Sequence, residues 1–194
     1  MDHSSHKIII ITAPSGAGKT SITKYLLQLF PQLSFSISAA TRQQRAGEVD
    51  GVDYYFMTEA QFVEKIHESA FAEWEMVYEG KYYGTLRSEL ERIWQQGRVP
   101  VLDIDVKGAL HVQKLYPGQC LSIFIEPPSV DELRKRLMSR GTESPESLQD
   151  RVNKASYEIS FKQHFDKIIV NDELQKAQKE AEIVVGRFLE PTAG

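Results

Sequence analysis

The segment Ile8-Ile-Ile-Ile-Thr-Ala-Pro-Ser-Gly-Ala-Gly-Lys-Thr20 constrains the fold more than any other part of the chain. Its four isoleucines predict a buried strand, and an amphipathic helical pattern begins directly after the loop of small residues. A strand, a loop ending in Gly-Lys-Thr and a helix form the layout of a phosphate-binding loop, in which backbone N–H groups and the helix N-terminus face the anion. A plain glycine-rich turn between a strand and a helix is the alternative, but such a turn has no evident use for Lys19 and Thr20.

This loop defines a predicted ATP-binding segment. Lys19 is expected to reach the β- and γ-phosphates, and the Thr20 hydroxyl is expected to hold Mg²⁺ together with ATP phosphate oxygens and waters. Ala13 stands where the motif has glycine, which is tolerated if its φ stays negative or the loop shifts slightly. The predicted ATP-binding residues are Ala13, Pro14, Ser15, Gly16, Ala17, Gly18, Lys19, Thr20 and Ser21.

Length and composition limit the classes of protein to consider. The chain has 194 residues, of which 41% are hydrophobic and 26% charged, as is ordinary for a globular protein with one sizeable core. The net charge of −4 argues against a general nucleic-acid binder. No apolar stretch is long enough to span a bilayer, and the N-terminus lacks the layout of a signal peptide. The single cysteine, Cys120, fits a reducing compartment, so a cytoplasmic location is expected.

The order of predicted elements indicates an α/β fold. Strands alternate with helices along most of the chain, which predicts a mainly parallel sheet with helices on both faces. Residues 34–84 break this alternation with clustered short strands and predict a small inserted mixed lobe. Within it, residues 80–84 are interpreted as a turn and an edge segment. Helices are predicted over residues 85–96 and 148–161, and ligands are expected at the carboxyl ends of the parallel strands.

A second segment, from Ser38 to Phe56, carries two arginines followed by a glycine-containing turn and a tyrosine. The Arg42 and Arg45 guanidinium groups can bind phosphate through paired hydrogen bonds, and the Tyr54 hydroxyl can complete such a site. A solvated basic loop is the alternative interpretation.

Two aspartates end a later buried strand. Asp103 and Asp105 close the run Val-Leu-Asp-Ile-Asp, where carboxylates near a phosphate loop fit contacts to nucleotide or to magnesium-bound water. Asp105 can equally cap the helix that follows, and the sequence leaves the division of roles open.

Taken together, these motifs resemble the guanylate kinase family along nearly the whole chain. The family signature Thr-[Ser/Thr]-Arg-x-x-[Lys/Arg]-x-x-[Asp/Glu]-x-x-Gly-x-x-Tyr-x-[Phe/Tyr] matches from Thr41 to Phe56, with Ala40 in place of a threonine. The other matching segments are the phosphate loop, Phe71-Ala-Glu-Trp74, Gly80-Lys-Tyr-Tyr-Gly-Thr85, Leu102-Asp-Ile-Asp105 and Arg140-Gly-Thr-Glu-Ser144.

The resemblance implies a P-loop NTPase-type parallel core with an inserted GMP-binding lobe and a helical lid. It divides the single domain of residues 1–194 into a core of 1–33, 85–126 and 162–194, a GMP-binding lobe of 34–84 and a lid region of 127–161. It also implies that the protein phosphorylates GMP and dGMP with ATP, in purine nucleotide metabolism.

The resemblance also assigns a GMP site. Glu73 would accept from the N1–H and N2–H donors of guanine, and adenine has no N1–H to offer to such a carboxylate. Taken alone, Glu73 is more typical of a solvated strand residue, and Tyr83 of an aromatic ring at a strand edge, although Gly84 indicates a close approach there. The complete implied set is Ser38, Arg42, Arg45, Tyr54, Glu73, Tyr83, Thr85, Asp103 and Asp105, in which Ser38 and Thr85 are hydroxyl partners of guanine O6.

Catalytic residues and the rest of the ATP site follow from the same resemblance. Arg136, Arg140 and Arg151 would act from a mobile lid with Lys19 to stabilise charge on the transferring phosphoryl group, whereas Arg134 falls outside this set. Asn171 would lie beside the adenine ring, with a simple turn residue as the alternative.

Two rival functions remain at this stage. A non-catalytic guanylate-kinase-like module would bind phosphorylated proteins, and a related kinase would act on a phosphorylated sugar. The intact Lys19 and Thr20 argue against the first, and the predicted guanine-reading residues argue against the second. ATP and GMP are therefore the expected partners, with no nucleic acid, membrane or obligate protein partner.

Overall fold

The structure is a computed structural model that describes residues 6–139 and 145–190. Helices and strands alternate through most of the described chain. The strands are Ile8–Thr12 (β1), Leu33–Phe35 (β2), Ala39–Ala40 (β3), Tyr55–Phe56 (β4), Phe71–Tyr78 (β5), Lys81–Leu86 (β6), Val99–Asp103 (β7), Cys120–Glu126 (β8) and Lys167–Val170 (β9). The helices are Lys19–Leu29 (α1), Glu59–His67 (α2), Arg87–Gln95 (α3), Val106–Leu115 (α4), Val130–Met138 (α5), Pro145–Ile159 (α6) and Leu174–Leu189 (α7), with a 3₁₀ turn at Lys162–His164.

Five strands form a parallel sheet in the order β2-β7-β1-β8-β9, which confirms the α/β class expected from the sequence. Leu33 pairs with Val99 at one side of the sheet, and Ile123 pairs with Lys167 at the other. Every residue of β1 is buried, because a strand in the middle of a parallel sheet has both faces covered. The isoleucine run is therefore the central strand of this sheet.

Four shorter strands form a mixed sheet in the order β4-β3-β6-β5. β3 pairs with β4 in parallel and with β6 antiparallel, and β5 pairs with β6 antiparallel. Phe62 of α2 lies in one buried cluster with Ala39 of β3 and Phe71 of β5, and its ring stacks on that of Phe71 at 4.3 Å between centroids. One face of this sheet is thus packed on helix α2.

The chain divides into two compact units. The first holds residues 6–8, 32–102 and 107–120, and the second holds 9–31, 103–106, 121–139 and 145–190. The cluster around Phe62 is a core of the first unit. In the second unit, Leu133 and Leu137 of α5 pack against Val152 and Ala155 of α6.

Three expectations about the elements were wrong. Residues 81–86 form strand β6, which lies between β3 and β5 rather than at an edge, so helix α3 begins at Arg87 instead of residue 85. The two alanines of β3 were not predicted as a strand, because alanine has low β-propensity and here only the pairing with neighbours imposes the conformation. Helix α6 begins at Pro145 rather than at residue 148, since proline is tolerated in the first helical turn.

Candidate active site

The phosphate loop lies between the end of β1 at Thr12 and the start of α1 at Lys19. Gly16 and Gly18 have φ values of 92° and 93°, in the left-handed region that favours glycine, and Ala17 N–H donates to Pro14 O at 3.1 Å. Among the described non-glycine residues, positive φ occurs at Ser69, so Ala13 keeps a negative φ. This is the condition under which alanine can replace the glycine of the motif.

The N-terminus of α1 is arranged to accept an anion. Gly18 is the N-cap residue, no side chain in the described structure caps it, and the first helical turn contains no acidic residue. Neither a side-chain cap nor a carboxylate of the first turn therefore neutralises the first N–H groups of the helix and the positive end of its dipole.

Two of the three predicted charged residues near the loop contact each other. The Lys19 ammonium forms an ion pair with the Asp103 carboxylate, and both side chains are partly exposed. Thr20 is exposed in the first turn of α1. Asp105 directly precedes α4, which begins at Val106.

Asn171 contacts the phosphate loop directly. This residue follows β9 and is 4% exposed, and its side-chain Nδ2 donates to Ala17 O at 2.7 Å. A Cβ atom at Gly18 would collide with the same amide, so the loop and Asn171 fit together only with glycine there. The Asn171 carbonyl in turn accepts from Arg136 Nη1 at 3.1 Å. Its side chain therefore holds the loop in this structure.

The predicted catalytic arginines lie on α5 and α6 or between them. Arg136 contacts Asn171 and also donates from Nε to Glu132 Oε1 at 3.3 Å, whereas Arg151 Nη1 donates to Ser15 Oγ at 3.2 Å. Arg140 lies outside the described residues, as does the rest of the motif at 141–144. Arg134 Nη2 donates to Gln149 Oε1 at 3.3 Å, which links α5 to α6.

A buried carboxylate that the sequence analysis missed also belongs to this unit. Glu158 of α6 is 8% exposed, and its Oε1 lies 4.0 Å from Lys154 Nζ. Burial raises the pKa of Glu158; the charge of Asp105 raises it further, and Lys154 and Lys19 lower it. The sequence signal was its spacing: Glu158 follows Val152 and Ala155 at intervals of three residues and so lies on the same face of the helix.

In the first unit, the two central residues of the predicted guanine site face each other across β5 and β6. Glu73 pairs with Thr85 in the strand register, and the Thr85 hydroxyl donates to Glu73 Oε1 at 2.6 Å. The exposed fractions are 5% for Glu73 and 1% for Thr85. Glu73 is therefore not the solvated residue that its sequence position alone indicates. In this structure the Thr85 hydroxyl hydrogen is directed at Glu73, and the roles of Ser38 and Thr85 toward guanine O6 stay predictions.

A register shift in β5 brings Glu73 to this face. Phe71 pairs with Leu86 in the core beside α2, and the register shifts between Phe71 and Glu73, so that Glu73 pairs with the next residue, Thr85. Directly paired residues point to the same face, and alternate residues of β6 point to opposite faces. Tyr83 and Thr85 therefore share the face away from the Phe62 cluster.

Gly84 is required for the close approach of β5 to β6. A Cβ atom at Gly84 would lie 2.7 Å from the Glu73 carbonyl oxygen and 2.9 Å from Trp74 Cβ. The close approach indicated by the sequence is thus to the neighbouring strand.

The predicted phosphate-binding residues also assemble in this unit. The Arg42 guanidinium lies 4.7 Å from the centroid of the Tyr54 ring, and the Tyr54 and Tyr83 rings meet edge-to-face at 6.2 Å. Arg45 has an exposed side chain, and its backbone N–H donates to Glu48 Oε2 at 2.8 Å.

Glu48 organises this group and was missed as a site residue. Its carboxylate accepts from Arg42 Nη1 at 2.7 Å and from Arg42 Nη2 at 2.6 Å. These hydrogen bonds lower the pKa of Glu48 to about 2. The signal was present, because Glu48 occupies the acidic position of the signature between Arg45 and Gly51.

The parallel α/β sheet, the loop after its central strand and the lysine at the start of α1 define a phosphate-loop nucleotide-binding protein. A family model described as guanylate kinase matches residues 5–187. A guanylate kinase from Chlorobium chlorochromatii is 48% identical over 185 residues, covering 95% of this chain and 97% of the relative. A guanylate kinase from Bacteroides fragilis is 45% identical over 183 residues, covering 94% and 90% of the two chains. The crystal structure of guanylate kinase from Anaplasma phagocytophilum matches with a TM-score of 0.74 at 29% identity, covering 95% of this chain and 87% of that one.

This chain belongs to the guanylate kinase family.

Proposed function

We propose a division of roles among these residues for the phosphorylation of GMP by ATP, the activity that membership of the guanylate kinase family assigns to this chain. The observation that carries the proposal is the buried Glu73 carboxylate, which is held by Thr85 on the face that also carries Tyr83. A buried carboxylate is a strong hydrogen-bond acceptor, and the N1–H and N2–H groups of guanine are two adjacent donors that match its two oxygens.

The phosphate loop is the donor site in this proposal. Its backbone N–H groups and the α1 N-terminus bind the ATP phosphates, and Lys19 leaves Asp103 to reach the β- and γ-phosphate oxygens. The Thr20 hydroxyl is a hard oxygen ligand of the kind that Mg²⁺ accepts, and the remaining ligands would come from ATP and water. Bound Mg²⁺ would neutralise charge on the phosphate oxygens. Among the described residues, no group of three carboxylate, histidine or cysteine side chains is arranged to hold a metal ion.

The acceptor site combines base reading with phosphate binding. Glu73 accepts from guanine N1–H and N2–H, Ser38 donates to O6, and Thr85 fixes the carboxylate in position. The GMP phosphate is bound by Arg42, Arg45, Tyr54 and Tyr83. Glu48 holds the Arg42 guanidinium through two hydrogen bonds. Adenine leaves Glu73 facing an unprotonated N1, so AMP is discriminated against by an unpaired buried group.

The transfer step needs positioning and charge neutralisation. The attacking GMP phosphate oxygen is already anionic at neutral pH, so no general base is required. Lys19, Arg136, Arg140 and Arg151 stabilise the charge that develops on the transferring phosphoryl group. Asp103 and Asp105 contribute polar contacts at the start of α4. Asn171 holds the phosphate loop through Ala17 and can also contact adenine.

The proposal also covers the division of the chain into lobes and the location of the protein in the cell. The GMP-binding lobe spans residues 34–84, the lid region spans 127–161, and dGMP is accepted with GMP. None of the described helices combines the length and apolarity that crossing a membrane requires. A cytoplasmic location agrees with the single cysteine of the chain, Cys120, which forms no disulfide. The proposal includes no nucleic acid, membrane or obligate protein partner.

A coupled assay of ADP formation tests the proposal. ATP and Mg²⁺ are combined in turn with GMP, dGMP, AMP and ribose 5-phosphate. Turnover confined to GMP and dGMP is expected. Turnover with the sugar phosphate would indicate the sugar kinase, and absence of turnover in a folded protein that still binds GMP would indicate the binding module.

A further inference from the structure

Helix α3 carries a buried carboxylate to which no role has yet been assigned. Glu89 is 2% exposed and lies between the buried residues of α3, beside Leu90 and Ile93. A carboxylate is rarely buried so completely without several hydrogen-bond partners, because removing its charge from water is costly.

Both oxygens of Glu89 accept two hydrogen bonds. Oε1 accepts from the Ile37 backbone N–H at 3.0 Å and from Arg92 Nη2 at 2.8 Å. Oε2 accepts from the Tyr55 hydroxyl at 2.8 Å and from Arg92 Nε at 2.8 Å. Burial alone would raise the pKa of Glu89, but the hydrogen bonds from Arg92, Ile37 and Tyr55 outweigh it and lower the pKa. Glu89 is therefore held as an anion.

Two of these partners directly adjoin residues of the acceptor site. Ile37 precedes Ser38, the hydroxyl proposed for guanine O6, and Tyr55 follows Tyr54, which stacks with Arg42. The same two segments are joined by a hydrogen bond from Tyr55 N–H to Ser38 O at 2.9 Å. One carboxylate on α3 thus fixes the base-reading segment and the phosphate-binding segment in register with each other.

We infer that Glu89 is a positioning residue for the acceptor site: it acts through Ile37 and Tyr55 to set the spacing between the guanine-reading and phosphate-binding groups. This inference rests on the proposed function, since it concerns the site assigned to GMP. Glu89 itself does not contact the acceptor.

Substitution of Glu89 by glutamine tests the inference with little change of volume. The Glu89→Gln side chain cannot accept all four hydrogen bonds, so the segments around Ser38 and Tyr54 lose their common anchor. The KM for GMP is expected to rise by about 10-fold while the KM for ATP stays unchanged, because a group that positions one substrate affects its binding selectively. Glu91→Gln, an exposed neighbour on α3, is the matched control and should leave both constants unchanged.

A second variant keeps the test valid if Glu89→Gln folds poorly. Tyr55→Phe removes one hydroxyl from the network and should raise the KM for GMP by about 3-fold, at constant KM for ATP. The double variant Glu89→Gln with Tyr55→Phe should show little more than the effect of Glu89→Gln alone, because both changes break the same hydrogen bond.

The possible outcomes separate the inference from the proposed function. Turnover of GMP by the unsubstituted protein tests the function, and only the ratio of variant to unsubstituted constants tests Glu89. Parallel rises in the KM for both substrates, or lower thermal stability with an unchanged KM for GMP in both variants, would show a general structural role and overturn the inference.

Discussion

The Thr85 hydroxyl donates a 2.6 Å hydrogen bond to Glu73 across the β5–β6 pair, and both side chains are almost completely buried. A threonine in the middle of a strand thereby fixes the orientation of the Glu73 carboxylate. In the proposed guanine site, base selection is expected to depend on the pair rather than on Glu73 alone.

Replacing Glu73 by glutamine should weaken the choice of guanine over adenine. The amide keeps one acceptor and turns an NH₂ group toward the guanine donors, so kcat/KM for GMP should fall by about 100-fold or more. The loss for AMP should be much smaller, and the GMP-to-AMP ratio measured by ADP formation should shrink. Glu64→Gln, at an exposed position of α2, serves as the control. An unchanged ratio would remove Glu73 from the base-reading role.

Replacing Lys19 by methionine should abolish phosphoryl transfer while leaving the fold intact. The side chain is partly exposed and its ion pair with Asp103 is solvent-screened, so thermal stability should change little. Loss of the ammonium from the phosphate oxygens should lower kcat by at least about 100-fold. Lys24→Met, exposed on the same helix, controls for the general loss of a positive charge. Near-normal turnover in the Lys19 variant would contradict the assignment of the phosphate loop.

Truncation of Asn171 to alanine should act on the ATP side of the reaction. The hydrogen bond to Ala17 O is lost in a buried place, which should destabilise the protein by about 1–3 kcal/mol. A loosened loop should raise the KM for ATP about 10-fold and leave the KM for GMP unchanged. Asn153→Ala, at an exposed position of α6, is the comparison. If the KM for ATP is unaffected although stability is lost, Asn171 supports the fold without shaping the loop.

The Glu158→Gln variant should be more stable than the unsubstituted protein at neutral pH. Burial raises the pKa of Glu158, so the folded state favours the protonated form, and this contribution is lost as the pH rises through the raised pKa. Glutamine remains neutral at every pH. Its advantage in melting temperature should therefore be present at pH 7 and disappear below the ordinary glutamate pKa.

This difference is measured from melting curves of the Glu158→Gln variant and the unsubstituted protein, recorded at pH 7 and at pH 4 and below. All other carboxylates titrate alike in the two proteins, so their contributions cancel in the comparison. A gain of 1 kcal/mol corresponds to about 2–4 °C for a chain of this size. Glu68→Gln, exposed at the end of α2, should show no such pH-dependent difference. A variant that is less stable at pH 7 would mean that the attraction of Lys154 and Lys19 outweighs the cost of burial.

The second unit was predictable from the sequence to a large extent. Local patterns between Ile8 and Thr20 are sufficient to predict the structure of this segment. The continuous apolar residues predict the central strand, and the small residues before a lysine predict the phosphate loop. The Asn171 contact with Ala17 was not predictable, because it joins residues 154 positions apart in the sequence. No local pattern specifies such a contact.

The geometry of the proposed acceptor site was harder to predict because it depends on an irregularity in β5. A strict period of two would put Phe71 and Glu73 on the same face of β5, and the register shift separates them. The resemblance to a family supplied Glu73 as a base-reading residue, but neither it nor the spacing indicated that the Thr85 hydroxyl donates a hydrogen bond to Glu73. Glu48 was missed although it occupies the acidic position of the signature. Glu89 was missed because two of its partners, Ile37 and Tyr55, lie far from it in the sequence.

The two faces of the small mixed sheet carry different constraints: residues on one face pack the hydrophobic cluster, and residues on the other face carry the proposed contacts to the acceptor. Along β6, the even-numbered side chains Tyr82 and Leu86 contribute to the hydrophobic cluster, and the odd-numbered Tyr83 and Thr85 lie on the opposite face, where we propose the acceptor site. Substitutions at odd positions can therefore alter which monophosphate is accepted without disturbing the packing that keeps the sheet folded. A library for new acceptor specificity should vary those positions and leave the even ones, together with Gly84, unchanged.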